Sequence, residues 1–132
     1  MPSKAMTDAQ SAVPECVAVG VVDVDSGLLL DVKTVDSHPS EVLDLVAAAT
    51  GDLFQGPNVT AIENSFKKMR GVNSDERYFQ EIIVNSSNLI HVFLRMKKKR
   101  SQVAVFVCRN SANIGMVLSK ARLSLPGLEA AI

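Results

Sequence analysis

NLIHVFLRMKKKRSQVAVFVC, residues 88–108, sets two apolar runs on either side of four consecutive cations. In the first run Ile90, Val92, Leu94 and Met96 alternate with Leu89, His91, Phe93 and Arg95, the period of two that sends successive side chains to opposite faces of a strand. One of these faces is core and the other is mixed. In the second run Val103, Val105 and Val107 oppose Ala104, Phe106 and Cys108, so both faces are apolar. That pattern predicts a central strand with a neighbour on each side. Lys97, Lys98, Lys99 and Arg100, followed by Ser101, fall where the chain must reverse. A solvated hairpin tip is the least costly home for clustered charge, and lysines there discourage edge-to-edge association. A turn is the first expectation, a docking patch for an acidic partner the second, and nucleic acid comes behind both.

Toward the N-terminus, Cys16 to Val24 and Leu28 to Val35 are β-rich runs joined by Asp25-Ser26-Gly27, whose glycine can take the positive φ that hairpin turns require. Asp23, Asp25 and Asp31 gather near this turn without calcium-loop spacing, so they read as ordinary turn acids. A helix is expected in SHPSEVLDLVAAATGDLF: Ser37 or His38 can cap it, Pro39 fits its first turn and Glu41 suits its positive end. Val42, Leu45, Val46, Ala49 and Leu53 form the stripe that should face the sheet. QGPN, residues 55–58, interrupts the pattern before a second helical piece with Ile62, Phe66 and Met69 on one side. RYFQEIIV, residues 77–84, reads as the third strand. At the C-terminus Asn110 or Ser111 can cap a last helix with Ile114, Val117, Leu118 and Ala121 buried, and Pro126-Gly127 should end it.

The chain of 132 residues supports one domain, expected over 15–127 after a polar leader of residues 1–14 with room for a short helix, and before a tail at 128–132. Fourteen basic residues balance fourteen acidic ones, which argues against a general nucleic-acid binder. No apolar run reaches the roughly 20 residues of a membrane span and the N-terminus lacks a signal-peptide centre, so a cytoplasmic protein without membrane insertion is expected. Cys16 and Cys108 sit in β-like runs as small hydrophobes, and no disulfide, metal or cofactor is anticipated. A P-loop, a dinucleotide-binding glycine turn, a serine elbow and a paired-histidine metal motif are all missing, so no catalytic residue is assigned. A small hydrolase or transferase would have to use Cys16, Cys108 or His91, and ranks last.

The order hairpin, helix, three strands and closing helix predicts an α+β fold, a single five-stranded antiparallel sheet flanked by helices. In this succession the chain resembles the Roadblock family, the dynein-light-chain and bacterial gliding-regulator relatives. The resemblance runs from about Val17 to Leu125. Its carriers are VAVGVVDVDSGLLLDV with its Asp-x-x-Gly turn, the helix EVLDLVAAATGDLF, and the terminal hairpin and helix NLIHVFLRMKKKRSQVAVFVCRNSANIGMVLSKARL. Two departures are a leader shorter and less amphipathic than the family's usual first helix, and a longer insert, QGPNVTAIENSFKKMRGV.

The resemblance implies a non-catalytic homodimer, paired through the third strand with the long helices nearby, that regulates a small Ras-like GTPase or acts as an adaptor. If the third strand is an edge, its residues independently support that pairing. Tyr78, Phe79, Ile82, Ile83 and Val84 give the third strand little charge to blunt it, a liability that pairing removes. The alternative is a sensory module of similar sandwich architecture that holds a small ligand.

Overall fold

The computed structural model describes residues 3–35 and 40–132, with the side chains of residues 40–44 left aside. The capping roles expected of Ser37 and His38, and Pro39 in the first turn, lie outside the described residues, as do the side chains of Glu41 and Val42. The elements run α1 (Lys4–Ala12), β1 (Cys16–Asp23), β2 (Leu28–Thr34), α2 (Ser40–Gln55), α3 (Pro57–Arg70), β3 (Glu81–Asn85), β4 (Leu89–Arg95), β5 (Gln102–Arg109) and α4 (Ile114–Ala131). The strands form one antiparallel sheet in the order β2-β1-β5-β4-β3.

Alternation along the strands divides the core into two. Ile90, Val92, Leu94, Met96, Ala104, Phe106 and Cys108 pack on one face with Val117, Ala121, Leu125 and Leu128 of α4. Phe93, Val103, Val105, Val22 and Val24 pack on the other with Ala47 and Phe54 of α2. β5 lies between β1 and β4, as its two apolar faces require. In the first hairpin Gly27 has φ +73°, the left-handed conformation that the turn needs.

The residues expected to be a polar leader are part of the first core. Ser3 caps α1 by accepting from the Met6 backbone N–H at 3.3 Å, and Met6, Ala9 and Val13 are buried. Their spacing of three and four is that of a helix stripe, short enough to be hidden among Lys4, Asp8 and Gln10.

α4 also departs from expectation. Its cap is Asn113, whose Oδ1 accepts from the Met116 N–H at 3.0 Å, and Ile114 is exposed rather than buried. The helix does not end at Pro126-Gly127 but continues to Ala131, so residues 128–131 are helix and not tail. Proline inside a helix removes one hydrogen bond and crowds the preceding turn. Contacts beyond it offset that cost. Leu128 is fully buried, and the Glu129 carboxylate accepts the backbone N–H groups of Lys98 at 2.8 Å and Lys99 at 2.6 Å. Lys99 Nζ in turn donates to the carbonyls of Glu129 and Ile132. Those N–H bonds, that of Lys99 first, hold the Glu129 carboxyl below the usual carboxylate range. Replacing Glu129 with alanine should lower stability by about 2 kcal/mol, the scale of hydrogen bonds to a charged acceptor, as read from urea midpoints.

Candidate interaction face

β3 closes one side of the sheet. The Arg95 N–H bonds the Gln80 carbonyl at 2.8 Å and the Ser86 N–H bonds that of Leu89 at 2.8 Å, which fixes the phase of the β3–β4 ladder. Ile82 and Val84 therefore exchange bonds with β4, whereas Glu81, Ile83 and Asn85 direct their backbone groups to the open edge. Ile83 and Val84 are exposed at this edge, 43% and 38%. Its one charged side chain, Glu81, is held by Arg122 of α4 through two bonds of 2.8 and 2.6 Å. Arg122 keeps the Glu81 carboxyl below its ordinary value.

The strand begins at Glu81 and not at Arg77. In the segment before it, side chains satisfy the backbone groups instead. Glu63 Oε2 accepts the Tyr78 N–H at 2.6 Å, Arg95 Nε donates to the Phe79 carbonyl at 2.8 Å, and Gln80 Nε2 donates to the Arg77 carbonyl at 2.6 Å. Tyr78 stacks on Phe66 with ring centres 6.2 Å apart, while Phe79 and Ile82 pack against the second core. Of the five residues expected at the interface, Ile83 and Val84 present themselves at the edge, and Tyr78, Phe79 and Ile82 are half-buried within the chain.

α2 turns the opposite way from its expected stripe. Ala47, Thr50 and Phe54 face inward, and Leu45, Val46 and Leu53 face out, with Leu45 69% exposed. Phe54 decides the rotation: it packs on Phe93 at 6.4 Å, and the Arg95 guanidinium lies 5.1 Å over its ring. Thr50 is tolerated inside because its hydroxyl donates to the Val46 carbonyl at 2.8 Å. At Gly56 a side chain would meet the Asp52 carbonyl oxygen at 2.6 Å, so this position between α2 and α3 has no room for one.

In α3 the apolar residues Ile62, Phe66 and Met69 do share a side, but all three are exposed, and Glu63 is the buried residue. Its carboxylate accepts from Arg77 Nη1 at 2.8 Å as well as from the Tyr78 N–H. Both helices thus leave sizeable apolar side chains on the surface.

Lys97 to Arg100 lie at the β4–β5 reversal, as expected of a turn. Lys97, Lys98 and Lys99 are exposed, whereas Arg100 is half-buried, with Nη2 donating to Gln80 Oε1 at 2.6 Å and Nη1 to the Met96 carbonyl at 3.1 Å. Cys16 and Cys108 are free, buried and opposite each other in the β1–β5 register. That adjacency was invisible in their sequence spacing. The Cys108 thiol bonded to Cys16 draws the Cys16 value down and leaves that of Cys108 raised. His91 belongs to the other face, stacked on Phe93, so the sheet separates it from both thiols. Asp23 and Asp31 accept backbone N–H groups from Asp25, and from Ser3 and Val32, and no side-chain cluster able to hold a metal occurs among the described residues.

No protein-family model and no curated protein sequence matches the chain. Solved structures do. A Roadblock/LC7 domain from Streptomyces avermitilis superposes with a TM-score of 0.68 at 13% identity, over 96% of this chain and 93% of that one. The gliding protein MglB from Thermus thermophilus gives 0.65 at 17% identity, over 92% and 80%. An MglB with tetrameric arrangement gives 0.67 at 17% identity, over 95% and 82%.

The chain has the Roadblock fold. Within this Roadblock sandwich both departures noted in the sequence are helices: the short leader is α1, buried beside α4, and the 55–72 insert carries α3. Among the described residues no helix is long and apolar enough to cross a membrane.

Glu63 anchors that insert. Burial pushes its carboxyl up, but the Tyr78 N–H and then Arg77 outweigh burial and leave the value lowered. Its contribution is therefore complete above the unfolded-state value of about 4.3 and is lost as pH falls through the folded value. Glu63→Ala should cost about 3 kcal/mol in urea unfolding at neutral pH. The gap to the parent protein should close as the solution is acidified.

Proposed function

We propose that this protein is a non-catalytic, homodimeric regulatory scaffold of the cytoplasm whose partner is a small Ras-like GTPase. The observation that carries the reading is the open β3 edge, where Glu81, Ile83 and Asn85 hold unpaired backbone groups beside exposed Ile83 and Val84. Antiparallel pairing with a second β3 satisfies those groups and extends the sheet. Leu45 and Leu53 of α2 are exposed as well, further apolar surface for a partner. The shared fold with gliding MglB proteins, one of them in a tetrameric arrangement, supports self-association and a regulatory role. A scaffold of this kind needs no catalytic side chain, because it repositions the GTPase's own groups around the nucleotide. Exposed Lys97 and Lys98, at the far end of the β4–β5 hairpin, are the docking contacts assigned to an acidic partner surface, with Lys99 and Arg100 holding the turn in shape.

A ligand-binding sensory module is the second reading. It is favoured by an apolar cavity of about 390 Å³ lined by Val22, Leu29, Val32, Val46, Val105 and Val107, a size within the range of small-molecule pockets. Native mass spectrometry that finds a co-purifying small molecule would favour it over the scaffold.

Light scattering on the parent protein should return the dimer mass, and the double substitution Ile83→Lys with Val84→Lys should weaken dimerisation by about a hundredfold or more. Both side chains are exposed, so far-UV circular dichroism should be unaltered. A parent protein that stays monomeric at micromolar concentration rejects the dimer. Capture from lysate with GDP and with a non-hydrolysable GTP analogue should enrich a small GTPase in one nucleotide state. Enrichment in neither rejects the partner assignment.

A further inference from the structure

Arg95 is a buried cation with an unfilled donor. It is 3% exposed. Its Nε donates to the Phe79 carbonyl and its Nη1 to the Arg100 carbonyl, each at 2.8 Å, while its Nη2 is buried with no partner. Among the described residues the ion pairs are Lys4–Asp8, Glu63–Arg77 and Glu81–Arg122, and none of them includes Arg95. A buried donor left without an acceptor is unfavourable.

This guanidinium lines a polar cleft of about 440 Å³ between α3, the segment before β3 and the β4–β5 turn. Lys67, Arg77 and Arg100 also line it, as do the acids Asp25 and Asp75. Arg77 is paired with Glu63, which leaves Lys67, Arg95 and Arg100 as the open cations, against Asp25, which accepts from Gln55 Nε2 at 2.7 Å, and Asp75. Burial first, then the nearby Arg100, depress the Arg95 value, and the more weakly acting Glu63 and Asp25 offset only part of this.

We propose that this cleft is an anion-binding site that takes the phosphate group of a small phosphorylated solute. Lys67, Arg95 and Arg100 come from separate elements around one space, with Arg77 held beside them by Glu63, which suits a tetrahedral oxyanion with acceptors on all sides better than a planar carboxylate. Asn64 on α3 adds a neutral donor to the lining. The site is separate from the β3 edge and the apolar side of α2, so its assignment and the scaffold reading stand or fall independently.

The test is isothermal titration calorimetry in phosphate-free buffer, with inorganic phosphate and glycerol 3-phosphate as probes and sodium acetate and sodium chloride at matched ionic strength as controls. Saturable one-to-one binding of both phosphates is expected in the millimolar range or tighter, without matching acetate binding. Affinity should fall by about tenfold or more in Arg95→Met and in Lys67→Gln, and stay unchanged in the remote Lys120→Gln. Lys67 is a rim residue on α3, so its variant reports on the site even if Arg95→Met fails to fold. Heats that only follow ionic strength, equal binding of acetate, or phosphate affinity unaltered in Lys67→Gln would overturn the proposal.

Discussion

Val105 and Phe106, adjacent in β5, point to opposite faces of the sheet, and both are buried. The other layers follow from this. A strand apolar on both sides has to be covered twice, which places β1 and β4 beside it, α1 and α4 over one face and α2 over the other. β3 is then left at an edge with β4 as its single neighbour, and its open backbone groups make that edge the reactive boundary of the fold.

The periphery is held by a different force. Glu63 and Glu129 commit their carboxylates to backbone N–H groups distant in sequence, at Tyr78 for the first and at Lys98 and Lys99 for the second. Charge-assisted bonds of this kind are stronger than neutral ones and fix direction as well as distance. One of them docks α3 on the approach to β3, and the other carries α4 through Pro126 to the base of the cationic turn. Arg95 belongs to the same polar layer, bridging the Phe79 and Arg100 carbonyls while its ring contact with Phe54 sets the rotation of α2. The arrangement also explains why apolar side chains of α2 and α3 stay on the surface: Phe54 and Glu63 take the inward positions, and Leu45, Leu53, Ile62 and Met69 are left exposed.

Strand alternation made the sheet readable. The two faces of β4, the central place of β5, the Gly27 turn and the reversal at Lys97 to Arg100 each rest on neighbours within a few residues, and each is found in the fold. That β3 is a strand was legible for the same reason, whereas its place at the edge and the half-buried state of Tyr78, Phe79 and Ile82 were not. Those three are held by Phe66 and the second core, which no local pattern announces.

By itself, then, the sequence determined an α+β sandwich around one antiparallel sheet, because a period of two and a run apolar on both faces are local properties of the chain. Tertiary structure decided which sides of α2 and α3 turn inward, that α1 joins the core, and that α4 passes its proline. It also gathered Lys67, Arg77, Arg95 and Arg100 around one cleft and brought Cys16 beside Cys108. These outcomes depend on partners such as Glu63 with Tyr78 and Glu129 with Lys98, where a buried carboxylate is tolerated only because a donor from a distant segment meets it. That condition is set by three-dimensional proximity, which periodicity along the chain does not encode.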